Sequence, residues 1–207
     1  EMLSGRYDLV TTNVPYLKSG GHNETLRDFC LRHYPVAETA LETVFLERCQ
    51  ELASQSGMTS VVSQQYWLFL GSYSDLREQQ LKRNSVTVIA PLGPGAFETI
   101  DGEVVNVALH VIQNSRPTKK HFISGIDASH GKSAQEKKDL LLSETLVRHR
   151  QQLQLKNPDS RILLSTLDDA PLLSEYADSY VGLQNGDVDR FVMKIWEIPD
   201  ERDMWSY

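Results

Sequence analysis

The chain has 207 residues, of which 40% are hydrophobic and 24% charged, and carries a net charge of −7. That length holds one sizeable domain, or one domain and part of a second. The acidic balance excludes a surface that is basic throughout, as a whole-surface nucleic-acid binder would need, while leaving room for a local basic patch.

Tyr7 to Thr12 is apolar and β-branched, and its continuity predicts a strand buried on both faces. Gly20 and Gly21 mark a loop, and Glu24 to His33 has helical spacing. Beyond Pro35, Val36, Ala40, Val44, Cys49 and Leu52 form an apolar stripe, a second helix that Gly57 is expected to stop. Met58 to Val62 reads as a strand. An aromatic loop and a helix follow, with Ser72 and Asp75 as a capping pair. Ser85 to Ala90 and Glu103 to Ile112 read as two more strands, too close in sequence for a crossover helix and so antiparallel. The earlier strands are joined through helices and should be parallel. Ser133 to Lys156 is polar and helical in spacing. Asn157-Pro158 and Asn185-Gly186 are turn signals in the tail. The expected fold class is α/β: the second half of a doubly wound sheet with an antiparallel hairpin at its edge, then a mixed, mainly helical segment.

No apolar run is long enough to span a bilayer, so no membrane partner is expected. Cys30 and Cys49 lack metal-ligand spacing and read as free, buried thiols of a reducing compartment. With no basic-then-apolar leader, a cytoplasmic location is expected. An apolar strand begins almost at once after Glu1, as in a segment cut from a longer protein.

The chemistry lies in "TTNVPY". In open α/β sheets, ligands bind beyond the carboxyl ends of the strands, and Asn13 sits just past such an end. Asn13-Val14-Pro15-Tyr16 offers an amide oxygen, a backbone carbonyl, a rigid turn and an aromatic face. Those groups suit an amino-bearing planar ring. Two acceptors take the two amine hydrogens and favour a pyramidal, nucleophilic nitrogen, while the tyrosine stacks on the ring. Orientation then supplies most of the rate gain toward an activated methyl group, without a strong base. A strand ending in an ordinary Asn-Val-Pro turn is the plainer account of the same residues.

These residues resemble the Asn/Asp-Pro-Pro-Tyr/Phe motif of amino-group DNA methyltransferases, with Val14 in place of the first proline. "FLERCQELASQSGMTSVVSQQYWLFLGSYSDLREQQL", "GPGAFETIDGEVVNVALHVI" and "GLQNGDVDRFVMKIWEI" are similar to later stretches of large adenine-specific methylases of restriction–modification and bacteriophage-exclusion systems. In the last, Asn185 and Val188 replace a threonine and an asparagine of the family pattern. The resemblance implies a class I methyltransferase (Rossmann-like) sheet and transfer of methyl from S-adenosylmethionine to N6 of a flipped adenine. Asn13, Val14 and Pro15 would be catalytic, Tyr16 both catalytic and base-stacking, and Phe97 base-contacting.

It implies double-stranded DNA as partner of the full-length parent. It divides the chain into a partial catalytic domain (1–113), a linker and helical segment (114–180) and the start of a target-recognition region (181–207). The family's donor loop follows a first strand and is Gly-rich. The Gly-x-Gly here, Gly93-Pro94-Gly95, lies between two strands and reads as a turn, so the donor site is expected outside this chain and the fragment alone is expected to be inactive. Other classes that fit are an amino-group methyltransferase acting on protein or RNA, and a non-catalytic remnant or scaffold. Trp67 and Phe69 read as packing residues, and Gln64 and Gln65 as loop residues. Lys119, Lys120 and His121, and Arg148, His149 and Arg150, are sets that meet phosphates in some proteins. A solvated face is their ordinary reading.

Overall fold

The computed structural model describes residues 4–97, 105–165 and 176–177. The chain divides into two compact units, Glu1–Thr166 and Leu167–Tyr207, and the elements below lie in the first. The "GLQNGDVDRFVMKIWEI" stretch, Asn185-Gly186 and residues 181–207 lie outside the described residues.

Six strands form one sheet: β1 (Tyr7–Asn13), β2 (Ala53–Gln64), β3 (Ser85–Gly93), β4 (Val107–Gln113), β5 (Phe122–Gly125) and β6 (Val147–Arg150). Their spatial order is β1-β2-β4-β3-β5-β6. β1 is parallel to β2, β4 is antiparallel to both β2 and β3, and β5 is parallel to β3. β6 is antiparallel to β5. β1, β2, β3 and β5 therefore run one way, while β4 and β6 run the other. Asn13, Gln64, Gly93 and the loop leading into Val107 share the carboxyl edge of the parallel strands.

The mixed α/β sheet and both strand-direction expectations are borne out, but two placements are corrected. The β3–β4 hairpin is interior. β4 inserts between β2 and β3, and β5 with β6 occupies the edge the hairpin was expected to hold. β1 is an edge strand rather than one buried on both faces: Leu9 is 60% exposed and Tyr7 39%. An apolar run reports what a strand is able to bury, not whether a second neighbour lies beside it.

Helix α1 (Glu24–His33) begins where Asn23 Oδ1 accepts from the Leu26 N–H at 2.9 Å and ends on Arg32 and His33, which suit its dipole. Helix α2 (Leu41–Leu52) starts later than its apolar stripe and stops before Gly57, running straight into β2. Gly57 lies inside the strand, where a Cβ would stand 2.8 Å from the Tyr7 carbonyl oxygen; close approach to β1, not helix termination, requires it. Helix α3 (Ser74–Arg83) has Tyr73 at its N-cap, so Ser72 does not cap it. The long helix expected over Ser133 to Lys156 is three elements: α4 (Ala134–Ser143), β6 and the single turn α5 (Gln151–Gln154). Ser133 and Glu136 form a cap at the start of α4, with the Lys132 N–H reaching Glu136 Oε2 at 2.7 Å.

The main core packs α2, α3 and the aromatic turn after β2 against the sheet, with Trp67, Leu76, Ile89, Ile112 and Ile123 almost wholly buried. A smaller cluster of Leu92, Val107 and Ala128 lies near the carboxyl edge, and Tyr16, Val62, Ala96 and Val105 pack on it. Among the described residues, no helix is long and apolar enough to cross a membrane.

Candidate functional site

β1 ends at Asn13, paired with Val62 of β2. One further backbone bond follows, from the Val14 N–H to the Val62 carbonyl at 3.4 Å. Val14 as a whole is 4% exposed and belongs to the core, with exposed Asn13 before it and exposed Pro15 after it. The Tyr16 hydroxyl donates to Asn13 Oδ1 at 3.1 Å, across the turn. A carboxamide oxygen has two lone pairs, so one acceptor position of Asn13 remains. The Val14 carbonyl accepts no hydrogen bond among the described residues. The turn thus presents the exposed Asn13 amide oxygen with Tyr16 beside it, while the Val14 carbonyl, on a buried residue, is left without a donor among the described residues.

The segment beyond the turn is pinned to the start of α2. The Leu17 carbonyl accepts from the Leu41 N–H at 2.8 Å and from His22 Nε2 at 3.2 Å, and the Ser19 N–H donates to the Thr39 carbonyl at 3.0 Å. Beneath it lie two residues that sequence reasoning does not single out. Glu42 is 2% exposed and His22 5%, and Glu42 Oε2 and His22 Nδ1 have no partner among the described residues. An acid in the first turn of a helix looks like an ordinary dipole partner, so nothing local marks Glu42 as buried. Burial pushes its carboxyl up from the usual carboxylate range. The Tyr16 hydroxyl is pushed up to about 12, by burial first and the nearby Glu42 second. The tyrosine is neutral at physiological pH and serves as donor and aromatic face, not as base.

Of the expected site residues, Asn13, Val14, Pro15 and Tyr16 form one turn. Phe97 is 37% exposed, at the bend where the β3–β4 loop begins. Its neighbour Ala96 packs on the same small cluster as Tyr16, so that loop leaves the sheet at the edge carrying the turn. Trp67 is 1% exposed and donates to His110 Nε2 at 3.3 Å, in keeping with packing. Gln65 opens the turn after β2 and lines a cavity of about 550 Å³ between β3, β5 and residues 162–165.

Among the described residues, no glycine turn fits a donor-binding loop. Gly93 and Gly95, with φ of +63° and +69°, turn a hairpin, and a Cβ on Gly93 would meet Ser129 at 3.0 Å. Gly20 and Gly21 precede α1, but the Asn-Val-Pro-Tyr turn separates them from the end of β1. Among the described residues, no cluster is suited to a metal ion.

Residues 1–96 match the family model described as Eco57I restriction-modification methylase. Over 114 residues, 55% of this chain, the sequence is 38% identical to adenine-specific methyltransferase PglX of Lacticaseibacillus casei (strain Zhang), 9% of which is covered. It is 35% identical over 114 residues, again 55% of this chain, to adenine-specific methyltransferase BrxX of Escherichia coli O9:H4 (strain HS), 10% of which is covered. The chain therefore spans about a tenth of the length of these curated relatives. The methyltransferase subunit of the type I restriction-modification system from Streptococcus thermophilus superimposes on 76% of this chain and 37% of its own, with a TM-score of 0.55 and 14% identity, a likeness of fold. The resemblance read from the sequence is borne out over about half of the chain, and the expected α/β sheet is of the same fold as that methyltransferase subunit.

Proposed function

We propose that this chain is the amine-holding part of an enzyme that methylates N6 of a flipped adenine in double-stranded DNA, in a restriction–modification or phage-defence setting. The observation that carries the reading is exposed Asn13 at the carboxyl edge of the sheet, with Tyr16 hydrogen-bonded to its Oδ1; the Val14 carbonyl, which accepts no other bond among the described residues, is read as the second acceptor. An exocyclic amine donating to both oxygens loses conjugation with its ring and gains nucleophilicity. Pro15 fixes the angle between the two acceptors. Tyr16, once a base is seated, stacks on it, a contact worth roughly 1–3 kcal/mol. Phe97, exposed on the loop at the same edge, would be a second contact to the flipped base.

S-adenosylmethionine supplies the methyl group, and its loop belongs to a part of the parent outside these residues. The open edge of β1, where Tyr7 and Leu9 are exposed, is where we place the parent's remaining strands, and residues 181–207 are read as the start of its target-recognition region. The turn carries no carboxylate of its own and its task is geometric: the new N–C bond would form as the donor's C–S bond breaks to leave a neutral thioether, and the amine's surplus proton would pass to solvent.

The test is tritiated methyl transfer to DNA by the full-length parent, followed by nucleoside analysis. Label is expected in N6-methyladenine. Asn13→Ala is expected to lower kcat by on the order of 100-fold or more, the cost of losing one preorganised polar group. Label in cytosine, label in protein or RNA alone, or an Asn13→Ala parent as active as the wild type would each overturn the reading.

A further inference from the structure

The sheet separates charge as well as strand ends. At the edge opposite Asn13, where β5 begins and β6 ends, lie Arg116, Lys119, Lys120, Arg148 and Arg150, all exposed, in a chain whose net charge is −7. Ion pairs among the described residues engage Arg48, Lys82, His130 and Arg161, and none of these five cations.

Their geometry is organised. Arg150 pairs with Phe122 across the β5–β6 ladder, and Arg148 pairs with Ser124. Two residues apart on a strand, the arginines face the same side, their Cα atoms about 7 Å apart. Both guanidiniums stand over the Phe122 ring, at 4.8 Å for Arg148 and 5.8 Å for Arg150. His149, between them, faces the other way and donates to the Leu164 carbonyl at 2.8 Å. The adjoining Lys119–Lys120 turn is held by His121, whose Nε2 donates to the Val86 carbonyl at 2.8 Å and whose carbonyl accepts from the Gln151 N–H at 3.1 Å. Two like charges thus share one aromatic face on a fixed frame, with no carboxylate among the described residues paired to them. The ring quadrupole offsets part of their repulsion. A pair of anions at matching separation would offset the rest.

We propose that this edge is a nucleic-acid contact separate from the base site, gripping the phosphodiester backbone through Arg148 and Arg150, with Lys119 and Lys120 beside them. Successive phosphates on one strand repeat at close to the arginine spacing, and planar guanidiniums take phosphate oxygens two at a time. An acidic peptide fits less well, because Phe122 is covered by the guanidiniums and offers no apolar anchor. β6 is five strand spacings from β1, about 24 Å. The phosphates held here are therefore not those of the flipped nucleotide but those of flanking or second-segment DNA, bound without regard to sequence. The choice of partner rests on the proposed DNA substrate; the contact does not depend on the chemistry at Asn13.

The test is fluorescence anisotropy of a labelled duplex of about 30 bp with the 207-residue chain between roughly 50 and 200 mM salt. R148E/R150E is expected to weaken binding at least about tenfold at the lower salt, and to flatten the salt slope by about 2, one for each phosphate no longer held. R148Q/R150Q, which adds no repulsion, should flatten the slope equally, and serves if the charge-reversed chain fails to fold by circular dichroism. Unchanged affinity and slope in the glutamine variant would overturn the proposal. So would poly-glutamate displacing the duplex as well as heparin does at equal charge. Loss of binding in the arginine variants, with an Asn13→Ala parent still methylating, would retain this contact and reject only the catalytic reading.

Discussion

Val14 is the residue at which this chain leaves the motif it resembles, and the structure gives the substitution a physical content. A proline there keeps the carbonyl but lacks the N–H that extends the β1–β2 ladder to Val62 at 3.4 Å, and it fills the buried Val14 site with a different shape. The bond is long, and the valine side chain contributes burial as well as stiffness. Val14→Pro is therefore expected to cost about 1–2 kcal/mol, a fall of roughly 3–6 °C in melting temperature. Because the carbonyl survives, methyl transfer by the parent should persist. A thermal melt of the chain and the labelling assay on the parent check the two halves. Equal stability would mean that the ladder does not extend past Asn13. The motif itself was legible because a turn residue, a proline and an aromatic are local signals. The Asn13–Tyr16 hydrogen bond was not, since a side-chain contact across a turn depends on rotamers.

At the scale of elements, the informative group is the buried guanidinium of Arg77. It is 0% exposed on α3 and donates to the Trp67 carbonyl at 2.9 Å, the Leu70 carbonyl at 2.6 Å and the Asp159 carbonyl at 2.8 and 3.0 Å. It thereby joins a helix, the aromatic turn after β2, and the turn at Pro158–Ser160, where Asp159 and Ser160 hold φ of 52° and 53°. Left-handed backbone at non-glycine residues persists only when its surroundings fix it, and Arg77 is the visible anchor. Arg77→Met keeps the bulk and leaves three carbonyls short of donors. It is expected to cost about 3 kcal/mol or more, a drop of roughly 6–12 °C in a thermal melt. A drop of less than about 2 °C would show that water replaces the guanidinium. In the sequence, an arginine within "SDLREQQLKR" looks like one more solvated helix residue, since nothing local announces which carbonyls will converge on it.

Across the whole molecule, the buried residue that couples stability to pH is His110, in the middle of β4. Its Nε2 accepts from Trp67 Nε1 at 3.3 Å and lies 2.9 Å from Ser63 Oγ, and burial lowers its pKa from 6.5 to about 3. The folded chain therefore holds it neutral. The unfolded chain takes up a proton below about pH 6.5, so this contribution is full above that pH and is lost progressively as pH falls toward 3. By about pH 5 the loss should be roughly 2 kcal/mol, at one proton over about 1.5 pH units. Urea midpoints at about pH 7, 6 and 5 test it: His110→Gln, which retains an acceptor and does not titrate, should flatten the decline. An identical slope in the variant would assign the decline to other groups.

The sequence by itself determined where two of the helices begin, how one pair of strands runs and what the exposed turn is made of. Asn23 and Ser133 cap helices they immediately precede, β3 and β4 are antiparallel because too few residues join them, and Asn13-Val14-Pro15-Tyr16 ends a strand. All of these rest on bonds between neighbours along the chain. Only the tertiary structure decided that β4 lies between β2 and β3, that β1 is left at an exposed edge, and that residues 147–150 pair with β5 instead of continuing a helix. It also decided that Arg148 and Arg150 would share the ring of Phe122. The reason is that strand adjacency and stacking are set by hydrogen bonds and burial between segments distant in sequence, and an apolar or basic run carries no record of which partner will reach it first.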